Sequence, residues 1–338
     1  MTSSSNFGLG TLQDVQEKPL ALANQAGMET IPVLFDTDIG SDIDDAVALA
    51  YLLRQPRCEL LGITTVSGEP DKRASIAEAV CLASGRGDVP VHVGLEHPLL
   101  TAPLQPHAAH AEVLAARTHK TFANRPTAVD FLRETIRARP GEITLLATGP
   151  FTNLGVLFAL DPEIPTLLKQ LVVMGGVYYG RGYDGTSAEW NIRNDPHAAA
   201  LVFNAPVPRL VAVGLDVTMQ CQMRSDEVRT RFTQAGPPLD LVLEMAEVWF
   251  RHTEIITFHD PLAAALIFEP SLCNLEWQHI EVELTSPRGL GQTYFQNDAP
   301  QKLHEIAVGV QAPAFFQHYF EMVGQFRDGR PIEARRVV

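Results

Sequence analysis

Residues 31–53, "IPVLFDTDIGSDIDDAVALAYLL", lead from an apolar run into five aspartates within ten positions, Asp36, Asp38, Asp42, Asp44 and Asp45, and on into a second apolar run. The first part, "IPVLFDTD" (31–38), reads as a buried β-strand because its apolar residues are continuous rather than alternating with polar ones. Gly40 turns the chain, and "DDAVALAYLL" begins a helix near Asp44 and Asp45. Acids in a first helical turn interact favourably with the helix dipole, which accounts for one or two of the five. The chain already carries formal net charge −14, so the remaining repulsion asks for a positive partner. A hard cation with oxygen ligands, calcium or magnesium, accounts for the cluster as a whole. A calcium-binding EF-hand does not fit, since Gly40 would take the fifth position of its loop and the helix follows too early.

Outward from this stretch, strand-like and helix-like runs alternate. "LLGITTV" (60–66), "EITLLAT" (142–148), "LVVMGG" (171–176) and "RLVAVGLD" (209–216) read as further buried strands. "DKRASIAEAVCLA" and "TNLGVLFAL" have helical character. This alternation predicts an α/β fold: an open, mostly parallel, Rossmann-like sheet with helices on both faces. Such sheets take their ligands at the carboxyl ends of the strands. Asp36 and Asp38, Thr148, Gly175 and Gly176, and Asp216 all fall at such ends, so residues distant in sequence are expected to converge on one rim.

Composition narrows the class. At 338 residues with 46% hydrophobic and 20% charged residues, the chain has the make-up of an ordinary globular protein with a sizeable core. Its acidic balance argues against nucleic acid or an anionic membrane as the main partner. No apolar run approaches the roughly 20 residues that cross a bilayer. Residues 1–28 lack the basic start and apolar core of a secretory signal and read as a polar extension, leaving residues 29–338 as one domain. The four cysteines, Cys58, Cys81, Cys221 and Cys273, are far apart with no C-x-x-C pair. They are expected as buried thiols in a reducing, cytoplasmic protein.

Two further stretches carry candidate chemistry. In "AEWNIRNDPHAAALVFN" (188–204), Asp195 before Pro196 reads as a helix cap, whereas Glu189 and Asn191 on either side of Trp190 suit recognition of sugar hydroxyls beside an aromatic wall. In "FHDPLAAALIF" (258–268), His259-Asp260 stands at the start of an apolar helix; taken alone, it reads as a cap and a surface histidine. The glycine-rich "MGGVYYGRGYDG" lacks the lysine and the spacing of a phosphate-binding loop.

Together these stretches resemble the inosine-uridine preferring nucleoside hydrolases, calcium-dependent enzymes that cut the N-glycosidic bond of ribonucleosides. The resemblance spans most of residues 31–325 and rests on "DTDIGSDIDDAVAL", "LLGITTVSG", "LLATGPFTNLG", "VVMGGV", "AEWNIRNDPHAA" and "FHDPLAA" in the family's order. It implies that Asp38 ligates calcium and acts as general base on a calcium-bound water, and that Asp45, Asp260 and the carbonyl of Thr148 complete the protein ligands. It implies that Asp44, Glu189 and Asn191 hold the ribose, with Trp190 in the family's aromatic position. It also implies that His259 is the acid toward the leaving base and that the chain forms a homodimer or homotetramer. There are departures. "GSDIDDA" carries two extra residues, including Asp42. Glu69 stands where many members place an asparagine against ribose, and Tyr183 stands where an asparagine is common, with Asp184 or Thr186 as compensation. Two rival readings remain at this stage. One is a magnesium-dependent phosphohydrolase, which requires a downstream lysine and paired acids that "LVVMGG" and "LLATGPFTN" do not offer. The other is a non-catalytic, calcium-dependent nucleoside-binding protein.

Overall fold

Strand β1 (Ile31–Thr37) ends one residue before Asp38 and lies inside an eight-stranded sheet. The computed structural model describes residues 29–180, 188–296 and 298–324, together with the backbone of 326–327 and 330–331. The remaining sheet strands are β2 (Cys58–Thr65), β3 (Val91–His92), β4 (Thr144–Ala147), β5 (Gln170–Met174), β6 (Leu210–Val213), β7 (Cys273–Gln278) and β8 (His304–Val310). Their order is β3-β2-β1-β4-β5-β6-β8-β7. Within this sheet every pairing is parallel except that of β8 with β7. The chain runs outward from β1 through β2 to β3, then returns to the other side of β1 as β4. The strand order therefore reverses between β1 and β4, where open α/β sheets bind their ligands.

The continuous apolar runs are explained by burial on both faces. Val33 and Phe35 of β1 join one apolar cluster while Leu34 joins the other, and Leu146 is likewise separated from Leu145 and Ala147 in β4. The first cluster is built with helices α1 (Asp44–Arg54) and α2 (Pro70–Ala83). The second is built with α3 (Ala128–Ala138) and α4 (Thr152–Leu160). Helix α1 is buried along its whole length, which is why it shows no polar face in the sequence. Further along the chain come α5 (Trp190–Asn194), α6 (Pro196–Phe203), α7 (His259–Leu266) and α8 (Ala312–Val323), and α7 packs against α1.

Two expectations change. The run 209–216 does not continue as a strand to Asp216: β6 stops at Val213, and Leu215–Thr218 forms a helical turn. The Asp216 carboxylate accepts the backbone N–H groups of Tyr178 at 2.7 Å and Tyr179 at 2.8 Å, so it fastens the loop after β5. All four cysteines are free thiols, but Cys58, at the start of β2, is only partly buried. No helix among the described residues is long and apolar enough to cross a membrane. The polar extension 1–28 and Tyr183, Asp184 and Thr186 lie outside the described residues.

Candidate active site

Asp44 and Asp45 occupy the first turn of α1, and Asp260 the first turn of α7. Packing of α7 on α1 brings them together: the backbone N–H of Asp260 donates to Asp44 Oδ2 at 3.2 Å across 216 positions of sequence. One carboxylate oxygen from each of Asp44, Asp45 and Asp260 lies within 4.8 Å of the others, and all three side chains are buried. Helix capping does not explain these acids, because the capping residue of α1 is Ile43 and no side chain caps the helix. Burial first, and then the charge of neighbouring aspartates, pushes the pKa values of Asp44 and Asp260 well above the ordinary carboxylate range. Asp45 is raised less, since the hydroxyls of Thr37 and Thr148 donate to it, the latter at 2.9 Å. Three buried carboxylates that raise one another's proton affinity are a donor set suited to a hard divalent cation, whose charge relieves the repulsion.

Asp38 stands outside this triad, just past the end of β1, buried and within electrostatic reach of Asp45 and Asp260. Burial and the charge of Asp45 raise its pKa to about 8, against the opposing pull of Arg73. Thr148 follows β4 directly; its N–H donates to the Asp36 carbonyl at 2.9 Å and its own carbonyl accepts from Asn191 Nδ2 at 2.6 Å. A carbonyl has two lone pairs, so one remains for a second partner. Gly149 lets the two strand ends meet: a Cβ there would stand 2.8 Å from the Asp38 nitrogen.

The other expected site residues are placed unequally. Glu189 caps α5, with both carboxylate oxygens engaged by the N–H groups of Asn191, Ile192 and Gly176. Asn191 Nδ2 also donates to the Met174 carbonyl at 3.2 Å, so this pair ties α5 to the ends of β4 and β5. Trp190 remains 43% exposed beside the rim. Asp195 is the expected cap, accepting from the N–H of Ala198 at 3.0 Å. Glu69 does not reach the triad's group of ligand atoms; its carboxylate accepts from Lys72 Nζ at 2.6 Å and from the N–H of Ala108 at 3.0 Å. His259 is buried rather than a surface residue, with Nδ1 2.7 Å from Thr218 Oγ1, and burial pushes its pKa down to about 3.

Two residues escaped the sequence reading: Gln105, whose Oε1 accepts the indole N–H of Trp190 at 2.6 Å, and Arg73. Arg73 has no exposed surface. Its guanidinium donates to the carbonyls of Asp38, Ile39, Gly68 and His107 and to Ser41 Oγ, joining the β1–α1 loop, the β2–α2 turn and the 105–108 segment. In "DKRASIAEAV" it resembles any charged residue on a helix surface; the only hint is its place in a run of small residues that needs burial. Arg73→Met should cost about 3–5 kcal/mol of folding stability, because several buried acceptors lose their donor together with the embedded charge. Denaturant unfolding at constant slope measures this, and a loss below about 1 kcal/mol would show the network to be dispensable.

A doubly wound α/β sheet with an all-oxygen acidic pocket at its strand reversal defines the class of protein. The chain belongs to the inosine-uridine preferring nucleoside hydrolase family, whose profile matches residues 33–317. It is 32% identical over 277 residues to the pyrimidine-specific ribonucleoside hydrolase RihA of Citrobacter koseri, covering 78% of this chain and 87% of that protein. It is 31% identical over 302 residues to the inosine-uridine preferring nucleoside hydrolase of Crithidia fasciculata, covering 84% and 94%. Among solved structures, a plant nucleoside hydrolase, PpNRh1, superposes with a TM-score of 0.77 at 24% identity, covering 87% of this chain and 99% of that one. A purine-preferring ribonucleoside hydrolase from Gardnerella vaginalis gives 0.76 at 23%, covering 87% and 98%. At these identities the structural likeness speaks for the fold.

Proposed function

We propose that this chain hydrolyses the N-glycosidic bond of ribonucleosides, releasing free base and ribose, with calcium as its cofactor. The observation that carries this reading is the buried carboxylate triad of Asp44, Asp45 and Asp260 at the β1/β4 reversal of a chain of this family. We assign Asp45, Asp260, Asp38 and the Thr148 carbonyl as the protein oxygens that hold calcium, with Asp44 alongside them facing the ribose hydroxyls. Calcium, when bound, supplies a charge that makes nearby water more acidic and attracts vicinal hydroxyls.

The chain's own residues do the rest. Asp38 accepts the proton of the attacking water as general base. As the glycosidic bond stretches, the sugar becomes oxocarbenium-like and positive, and the acidic rim stabilises it electrostatically. Asn191 and Glu189 order the rim where the ribose sits, and Trp190 forms the wall beside it. Glu69, whose carboxylate accepts from Lys72 and from the N–H of Ala108, keeps acceptor capacity for a ribose hydroxyl and is assigned to that side of the rim. His259 is assigned as the acid toward the departing base: burial holds it neutral in the free enzyme, so the proton it passes on is first taken up from solvent as negative charge grows on the base, and the proton accepted by Asp38 returns to solvent after product release.

His259→Ala should therefore slow natural nucleosides by about 10²-fold or more and barely affect p-nitrophenyl riboside, whose leaving group departs without an acid. Equal losses on both substrates would remove His259 from the proton path. A nucleoside panel followed by separation of free bases tests the reaction itself. Phosphate release from nucleotides would favour the phosphohydrolase, and binding without any gain in reducing sugar would favour a binding protein. A homodimer or homotetramer and a cytoplasmic location, supported by the family resemblance and the free thiols, complete the proposal; light scattering and cell fractionation check them.

A further inference from the structure

We propose that Thr37 and Thr148 are positioning residues whose hydroxyls together hold the Asp45 carboxylate in the orientation that receives calcium. Both hydroxyls donate to the same oxygen, Asp45 Oδ1, that of Thr148 at 2.9 Å. Each hydroxyl proton is directed there by its surroundings. Thr37 Oγ1 accepts the N–H of Ile39 at 3.1 Å, which turns its own proton toward Asp45. Thr148 Oγ1 lies nearer to Asp45 than to its other acceptor, the Asp36 carbonyl at 3.4 Å. The terminal torsion of an aspartate is otherwise broad. With Oδ1 pinned by two donors the carboxylate cannot swing without breaking both bonds, so Oδ2 keeps one direction.

The pairing of β1 with β4 builds this arrangement. Their register sets Asp36 opposite Ala147, so Thr37 and Thr148 are the next residues along two adjacent parallel segments. Strand residues two apart share a face. Thr37 therefore points as Val33 and Phe35 do, and Thr148 as Leu146 does, toward the apolar cluster that contains α1. Asp45, in the first turn of α1, meets both hydroxyls where the two strands end. The backbones beneath them are tied as well. The Thr37 carbonyl accepts from the N–H of Val66 at 3.1 Å, and the Thr148 N–H donates to the Asp36 carbonyl at 2.9 Å. Both threonines are buried, so water does not compete for these bonds. A branched Cβ restricts χ1, which makes threonine a stiffer donor than serine. Thr148 thus serves twice, its carbonyl assigned to calcium and its hydroxyl to the neighbouring ligand.

The inference rests on Asp45 being a calcium ligand, and its test separates the two claims. Calcium-loaded, full-length protein is titrated with a fluorescent chelator of known affinity, and the calcium Kd follows from the competition. Thr37→Val and Thr148→Val keep the shape of the side chain and remove the hydroxyl, whereas Thr37→Ser keeps the hydroxyl and removes the methyl. Asp45→Ala is measured in parallel. Thr37→Val should raise the calcium Kd about 10- to 100-fold, the scale on which partners of metal ligands act. Thr148→Val, which leaves the carbonyl in place, should lose on the same scale. The double variant should lose less than the product of the two, since one missing bond already lets the carboxylate swing. Thr37→Ser should restore most of the affinity. A role in packing alone predicts the reverse order, because serine lacks the methyl that valine retains. A Thr37→Val Kd within about twofold of the parent, or serine weaker than valine, would overturn the positioning role. Should Thr37→Val not fold, Thr148→Val decides by the same limit. Asp45→Ala that binds calcium as tightly as the parent would overturn the assignment of Asp45, and the inference with it. Calcium lost in Asp45→Ala but held unchanged in Thr37→Val and Thr148→Val would sink the positioning role alone.

Discussion

Chelating the bound metal is expected to abolish ribonucleoside hydrolysis, and added calcium to restore it. The expectation follows from Asp44, Asp45 and Asp260, whose oxygens converge in a buried pocket, with Asp38 adding further negative charge. Metal removal should also lower thermal stability, since a ligand that binds only the folded state stabilises it by about 2.7 kcal/mol at a hundredfold excess over its Kd. That loss depends on pH in a defined direction. In the metal-free protein these carboxylates have folded-state pKa values above the ordinary 3.8, about 6 for Asp45 and about 8 for Asp38. The folded state therefore holds more protons than the unfolded state, so metal-free stability falls as pH rises from about 4 to about 8. The gap in Tm between metal-free and calcium-loaded protein should widen from pH 5 to pH 8, because proton loss frees the ligands for the cation. Full activity in demonstrably metal-free protein, or a gap that narrows with rising pH, would contradict this account.

Asp38→Asn should lower kcat by about 10²–10⁴-fold while nucleoside binding survives, since the amide keeps an oxygen near its place and removes the proton acceptor. The local frame is well supported for a substitution of equal size. The Asp38 carbonyl is held by Arg73, and Gly149 packs against its backbone. Large structural relaxation is therefore not expected, and the loss should appear in kcat more than in KM. Equilibrium binding of the nucleoside to the variant separates a missing base from a collapsed site. A loss below about tenfold would make Asp38 a structural acid and pass the base role to another group.

The reading of β1 and α1 from sequence succeeds because burial on both sides writes itself as unbroken apolar runs, with the aspartates marking where the strand stops. The same logic locates β2, β4 and β5, although β6 ends sooner because Asp216 is drawn to the N–H groups of Tyr178 and Tyr179. Strands β7 and β8 were not legible. They are later in the chain, β7 lies at the sheet edge with a partly exposed pattern, and β8 mixes charged and apolar residues. His259 beside Asp260 read by itself as an ordinary surface pair, whereas both are buried.

By itself the sequence determined the sheet class, the rim at the strand ends and the oxygen chemistry of the pocket, because apolar continuity and acid density are local properties of the chain. Only the tertiary structure decided which acids share one centre. Asp44 joins Asp45 and Asp260 because α7 packs on α1, a contact between segments more than two hundred residues apart that no local pattern encodes. It also decided that Arg73 is a buried tie rather than a surface charge, that Glu69 anchors a loop, and that Gln105 accepts the indole N–H of Trp190. A polar side chain's partner is set by the segments that meet around it, and hydrogen-bond geometry within a few ångströms is settled only when those segments pack.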